Sequence, residues 1–242
     1  MPVLEIKKIK KFFGKLKAVN GISFAVDENE IFGLLGPNGS GKTTTQRILT
    51  TLLAPTSGEI YYDNKQLSDE NANDIRHRIG YVPQGECLFG DLTIEENLRF
   101  FAAPYNLDKN HEKNKINELL ERLELGDRRK HLVKNLSGGL NKRASIAAAL
   151  LHEPKILFLD EVTMGLDPNS RYHIWGLIRE LKNTTTIIMT THYMDEAEDL
   201  CDRIAILSKG KIMDIDNPHK IIKRYHAKDL NEVIGRVIER EK

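Results

Sequence analysis

The spacing of apolar residues changes twice along the chain. Near the N-terminus, Leu4-Glu5-Ile6 and Gly21–Val26 have short alternating patterns that predict strands. Ile31-Phe32-Gly33-Leu34-Leu35 is a continuous apolar run, the pattern of a strand buried on both faces. A helix is predicted over Lys42–Leu53, and short strands over Gly58–Tyr62 and Arg78–Val82. From Asp91 to His152 the pattern is helical. Thr93-Ile94-Glu95-Glu96 reads as a capping box, Ile116, Leu119, Leu120 and Leu123 recur at helical spacing, and a third helix begins near Ser137 and stops before Pro154. Strand and helix then alternate: Ile156–Leu159 as strand, Tyr172–Leu181 as helix, Thr185–Thr190 as strand and Met194–Leu200 as helix. Arg203–Leu207 and Lys211–Asp214 follow as strands joined through Lys209-Gly210. Leu230, Val233, Ile234, Val237 and Ile238 form an apolar stripe on a C-terminal helix, expected to pack back on the core rather than to face a partner.

This order predicts an α/β fold: a mainly parallel sheet, an antiparallel β region at the N-terminus, and an α-helical lobe inserted at 89–152. The core and its β region are expected over 1–88 and 153–216, with a short helical extension over 217–242. The whole is expected to be a single domain, since 242 residues, 40% hydrophobic and 29% charged, bury a substantial core.

Charge removes some functions. Lys+Arg is 36 against 35 Asp+Glu, so no overall field favours nucleic acid. Lys7, Lys8, Lys10, Lys11, Lys15 and Lys17 face only Glu5 locally, and a solvated strand edge is favoured over a basic docking patch. Cys87 and Cys201 lie far apart without a CxxC pair, which gives neither a disulfide framework nor a zinc site. No run of 18 apolar residues exists, so the chain is expected to be soluble and to need a separate partner for any membrane role.

The strand ending at Leu35 runs into Gly36-Pro37-Asn38-Gly39-Ser40-Gly41-Lys42-Thr43, with Thr44 next in the predicted helix. Strand, glycine loop and helix form a phosphate-binding loop. Glycines let successive N–H groups wrap a triphosphate, the helix N-terminus adds partial positive charge, Lys42 reaches the β- and γ-phosphates, and the Thr43 hydroxyl binds Mg²⁺. Such a loop needs an acid on a neighbouring strand. Ile156-Leu157-Phe158-Leu159-Asp160-Glu161 supplies two. Asp160 is placed to orient Mg²⁺ or its water, and Glu161 to accept a proton from, or simply align, the water that attacks the γ-phosphate. Ser137 reads as a helix N-cap, with Gly138 and Gly139 leaving N–H groups open to an anion.

Leu136–Glu161 as a whole resembles the ABC ATPase family. So do Gly80-Tyr81-Val82-Pro83-Gln84, Gly165-Leu166-Asp167-Pro168 and Thr190-Thr191-His192, in the family's order. The resemblance implies that Phe13 stacks on adenine, with Phe12 as the alternative. It implies that Gln84 contacts Mg²⁺ and the attacking water, and that His192 contacts the γ-phosphate. Ser137, Gly138 and Gly139 would bind ATP held by a second subunit, and Asp167 would lie in a loop at that interface. Leu140, Val162 and Ala148 depart from the family's usual glutamine, proline and arginine, but none removes a phosphate, metal or water ligand.

Thr191–Glu198 and Thr51–Gly58 resemble drug and polysaccharide exporters more than importers. The expectation is an ATP-hydrolysing subunit, cytoplasmic and peripheral at the inner face of the cell membrane. Its partners would be a second copy of itself, or a related ATPase subunit, and an integral membrane permease, without nucleic acid. The rivals are a soluble ATPase of the same family acting on nucleic acid or ribosomes, and a non-hydrolysing ATP-gated clamp.

Overall fold

Alternating apolar residues at the N-terminus pair as a long antiparallel hairpin, β1 (Pro2–Phe13) with β2 (Leu16–Asp27). A computed structural model describes residues 2–239; residue 1 and residues 240–242, the latter at the end of the expected C-terminal extension, lie outside the described residues. β4 (Ser57–Tyr62) pairs with the other side of β1, and β5 (Lys65–Gln66) with β4, giving a four-stranded sheet in the order β2-β1-β4-β5. β1 is therefore an inner strand, and its lysines do not guard an edge. Lys7 pairs with Glu5 at 3.2 Å, and Lys11 donates to the carbonyl of Ala54 at 2.7 Å.

The second sheet has six strands in the order β10-β9-β3-β8-β7-β6. They are β3 (Ile31–Leu35), β6 (Ile79–Val82), β7 (Ile156–Asp160), β8 (Thr186–Thr191), β9 (Arg203–Ser208) and β10 (Lys211–Asp216). All pairings are parallel except the β9–β10 hairpin. Every residue of β3, β7 and β8 is buried, as a sheet covered on both faces requires. Side chains alternate between two cores. Phe32, Leu34, Ile156 and Phe158 pack with the antiparallel sheet, whereas Ile31, Leu35, Leu157 and Leu159 face the helices. Phe24 of β2 stacks on Phe32 with ring centres 4.9 Å apart, which ties the sheets together.

The helices are α1 (Lys42–Leu49), α2 (Ala72–Arg76), α3 (Ile94–Ala102), α4 (Lys109–Arg122), α5 (Gly138–Leu150), α6 (Pro168–Leu181), α7 (Met194–Leu200), α8 (Pro218–Arg224) and α9 (Leu230–Glu239). The capping box of α3 forms as expected: Glu96 N–H donates to Thr93 Oγ1, and Thr93 N–H donates to Glu96. α6 starts four residues before the expected Tyr172, because Asp167 caps it by accepting from the N–H of Ser170 at 3.0 Å and Pro168 occupies its first turn. α1 stops at Leu49 rather than Leu53; Thr51 takes φ +60°, outside helical geometry. α9 buries Leu230, Val233, Ile234 and Val237 against the core. No helix among the described residues is long and apolar enough to cross a membrane.

Asn97, fully buried in α3, fastens this helix to the segment before it. Its amide donates to the carbonyls of Phe89 at 3.0 Å and Thr93 at 2.9 Å, and its oxygen accepts from Phe89 N–H at 2.8 Å. Asn97→Ala is predicted to strand these groups and destabilise the fold by about 2–4 kcal/mol in urea unfolding. A loss under about 0.5 kcal/mol, within the range of ordinary surface substitutions, would contradict the role.

Candidate functional site

Parallel register brings the ends of three strands to one edge of the sheet. Leu35 of β3 lies opposite Thr191 of β8, and Asp160 of β7 opposite Thr190. The segments leaving these strands are therefore delivered to the same place. After β3 the chain turns through Gly36–Gly41 into α1. Gly41 holds φ +107°, and a Cβ there would sit 2.5 Å from the carbonyl oxygen of Ala18, so only glycine fits. Gly41 caps α1 without a side chain, and the first turn carries no acid. The first N–H groups of α1 are thus free of a side-chain cap, and buried Ser40 Oγ has no hydrogen-bond partner. Both features suit an anion of many oxygens.

Asp160 is 1% exposed. Its Oδ1 accepts from Thr190 Oγ1 at 2.5 Å and from Thr43 Oγ1 at 3.2 Å, and Tyr81 O–H lies 3.5 Å from Oδ2. Burial, with the charge of Asp160 adding to it, pushes the Tyr81 hydroxyl up to about 12, so the phenol stays a neutral donor. A hydroxyl and a carboxylate in contact at the mouth of a phosphate loop form the all-oxygen donor set that suits a hard divalent cation.

Glu161 comes next with φ +47°, an uncommon conformation for a residue with a side chain. Its N–H is held by Thr190, through Oγ1 at 3.0 Å and the carbonyl at 3.2 Å. That turn aims the carboxylate, 7% exposed, away from Asp160 and among three groups predicted for the site. Lys42 Nζ lies 3.5 Å from Oε1; Gln84 Nε2 donates to Oε2 at 3.2 Å; His192 Nδ1 lies 3.2 Å from Oε2, off the line of a hydrogen bond. Lys42 also donates to the carbonyl of Gly36 at 2.8 Å and lies within 3.3 Å of that of Pro37. Burial lowers its pKa from the ordinary lysine value, and Glu161 opposes that shift.

A cleft of about 770 Å³ opens over these groups. Asn38, Gly39, Ser40, Gly41, Lys42, Thr43, Thr44, Gln84 and Glu161 line it. Lys15, Lys17 and Lys209 line it too, three cations that no motif marks. The first two arrive on the β1–β2 hairpin, and Lys209 on the β9–β10 turn, where Gly210 N–H donates to the carbonyl of Ser40 at 3.0 Å. Phe13 is 49% exposed but is not part of the lining; Leu16, paired with it across the hairpin, is. Ser137, Gly138, Gly139 and Asp167 lie outside the cleft. They form a separate group, in which Gly138 and Gly139 pack on Leu166 and Ser170 beside the cap made by Asp167.

Two positioning residues lie in segments that resemble the family, yet the resemblance gave neither of them a role. Thr190 precedes His192 in one such segment, and its hydroxyl bridges Asp160 and the Glu161 backbone. Glu196, buried in α7, accepts from Thr163 Oγ1 at 2.7 Å and Trp175 Nε1 at 2.8 Å, and so joins the segment after Glu161 to α6 and to the helix after His192.

Residues 19–164 match the family described as ABC transporter. Linearmycin resistance ATP-binding protein LnrL of Bacillus subtilis is 42% identical over 88% of this chain and 68% of that relative. Nod factor export ATP-binding protein I of Ralstonia nicotianae is 37% identical over 97% and 73%. Among solved structures, cbiO1 from Clostridium perfringens, described as part of the ABC transporter complex cbiONQ, superposes with a TM-score of 0.85 at 29% identity, over 92% of this chain and 91% of that one.

Burial raises the Glu196 pKa despite the Thr163 and Thr191 hydroxyls and the Trp175 indole that donate to it, so the folded state holds the proton more tightly than the unfolded chain does. Ionised Glu196 therefore costs stability that returns as pH falls towards the ordinary carboxylate range. Gln at this position keeps an acceptor for Thr163 and Trp175 without that cost. Urea midpoints of wild type and Glu196→Gln at pH 5 and pH 8 are predicted to diverge in favour of the variant at pH 8. A gap that does not change with pH would contradict the assignment.

Proposed function

The chain belongs to the ABC transporter family as an exporter-type subunit that binds and hydrolyses ATP, and from that premise we propose that two copies of it close on two ATP molecules and drive a membrane-embedded permease. The observation that carries this reading is the convergence of Lys42, Gln84 and His192 on Glu161 at the mouth of the phosphate loop. The matching family is described as ABC transporter, and the names of Nod factor export protein I and cbiO1 place them in export and in a transporter complex, so the reading as an ATPase acting on nucleic acid or ribosomes is set aside.

In this account the N–H groups of 38–44 wrap the β- and γ-phosphates, and Lys42 exchanges its loop carbonyls for phosphate oxygens. Thr43, Asp160 and Gln84 would hold Mg²⁺, which when bound would neutralise charge that builds on the phosphates. Glu161 aligns the attacking water and accepts its proton, and its turned backbone keeps it clear of the metal ligands. His192 donates to the γ-phosphate. Phe13 and Leu16, on the β1–β2 hairpin, cover the adenine, and Lys15, Lys17 and Lys209 add positive charge along the cleft wall.

The family resemblance implies that Ser137, Gly138, Gly139 and Asp167 meet the ATP of a second copy, and their absence from the lining of their own chain's cleft supports that. The 89–152 lobe is proposed to move against the core of 1–88 and 153–216 when the copies close. The permease would dock where the lobe meets the core, in the groove that Tyr81, Cys87, Phe101 and Tyr105 line, beside the exposed rings of Phe89 and Phe100. Such docking places the chain on the inner face of the cell membrane. Export accords with the name of Nod factor export ATP-binding protein I, and the permease selects the cargo.

Glu161→Gln keeps the shape of the site and its contacts but removes the base. Turnover is predicted to fall by about a hundredfold or more while ATP binding persists. With ATP and Mg²⁺ the variant is predicted to accumulate as a two-copy species in light scattering. Wild-type turnover in this variant would remove Glu161 from the reaction.

A further inference from the structure

Lys142 lies on the second turn of α5, five residues after Ser137. It does not line the nucleotide cleft, and although it falls within the family-like Leu136–Glu161 segment, that resemblance gives it no role. The ammonium donates to the carbonyl oxygen of Gln84 at 2.7 Å and lies 3.3 Å from those of both Pro83 and Gly85. Three successive carbonyls pointing at one place repel one another unless a cation sits among them, and an ammonium brings three donors and one charge to that place. The side chain is half-buried. Burial works against its charge, while Cys87, Asp160 and Glu86 favour it.

Gln84 is itself exposed, on a segment outside any helix or strand. Its side chain reaches Glu161 and touches Met164, but those contacts do not fix its backbone. Apart from Lys142, the chain after it is next held by Leu88, packed on the core, and by Phe89, hydrogen-bonded to Asn97.

We propose that Lys142 is the positioning residue for Gln84, tying the 83–85 backbone to the helix that begins after Ser137, so that a shift of α5 carries Gln84 towards or away from Glu161. The inference rests on the role proposed for Gln84 at the metal and the attacking water. It adds that this role depends on a cation outside the nucleotide cleft. It also adds a direct connection between the Ser137 end of α5 and Glu161 within one chain: α5 to Lys142, Lys142 to the Gln84 carbonyl, and the Gln84 amide to Glu161.

The test uses the full chain with Lys142→Met, which keeps length and loses the cation, and Lys142→Arg, which keeps charge and multiple donors. Cutting after Glu86 by a glutamate-specific protease reads the anchoring of the loop directly. It is predicted to be about tenfold faster in Lys142→Met, with other cleavages unchanged, and near wild type in Lys142→Arg. ATPase assays are predicted to give an about tenfold lower kcat for Lys142→Met with KM for ATP within about twofold, and no further loss when Lys142→Met is added to Gln84→Ala. A wild-type rate of cutting after Glu86 in Lys142→Met would overturn the inference whatever the kinetics show. So would a kcat loss that adds in full to that of Gln84→Ala. Wild-type turnover in Gln84→Ala would instead overturn the role of Gln84, with the protease result still deciding whether Lys142 anchors the loop.

Discussion

The hydroxyl of Thr190 stands between two adjacent acids and gives them different surroundings. It donates to Asp160 and accepts from the N–H of Glu161. Asp160 is thereby held in line with β7, next to Thr43, while Glu161 turns out of the strand towards Lys42, Gln84 and His192. Without such a brace two consecutive carboxylates at a strand end would share one environment, and metal binding and water activation would compete for it. The brace exists because β7 and β8 are parallel neighbours in a register that sets Asp160 opposite Thr190. Both faces of that sheet are covered, so the register is specified by two cores at once and the strand ends cannot slip.

Chemistry that needs consecutive residues is legible in the chain. The phosphate loop requires glycines, a lysine and a hydroxyl in order, and the acid pair must end an apolar strand. Each of these features occupies a few neighbouring residues, and the structure brings Gly36–Thr44, Asp160 and Glu161 together at one sheet edge. Groups that act across long stretches of sequence are not legible. Thr190, Glu196 and Lys142 work through partners from 21 to 59 residues away, several of them backbone groups, and their residue types give no local sign of those contacts. The expectation of a solvated strand edge for Lys7 to Lys17 fails for the lysines of β1, whose second neighbour, β4, begins more than forty residues after β1 ends, whereas Lys17 lies on the end strand β2. The early start of α6 is different, since Asp167-Pro168 is a local cap signal that the apolar pattern overrides.

The division of the site stems from geometry. One chain provides a cleft lined by Gly39–Thr44 and Glu161, the proposed seat of the phosphates, while Ser137–Gly139 and Asp167 are grouped outside it. On the proposed function, binding energy from ATP is expressed as association between copies, and hydrolysis removes the group that holds them. In this account the energy of ATP binding emerges as motion of the lobe, and the link from Ser137 through Lys142 to Gln84 lets the arrival of a second copy be felt at Glu161.

The central claim, that each ATP is held by the phosphate loop of one copy and the Ser137 end of α5 of the other, is tested most directly by mixing two defective chains. Lys42→Ala weakens the hold on phosphate, and Ser137→Arg blocks the surface that completes a partner's site. Sedimentation with ATP and Mg²⁺ should show each variant alone as single copies. The mixture should contain a two-copy species, because the loop of the Ser137→Arg chain meets the intact Ser137 of the Lys42→Ala chain. Failure of the mixture to associate, or association of the Ser137→Arg chain with itself, would contradict the account.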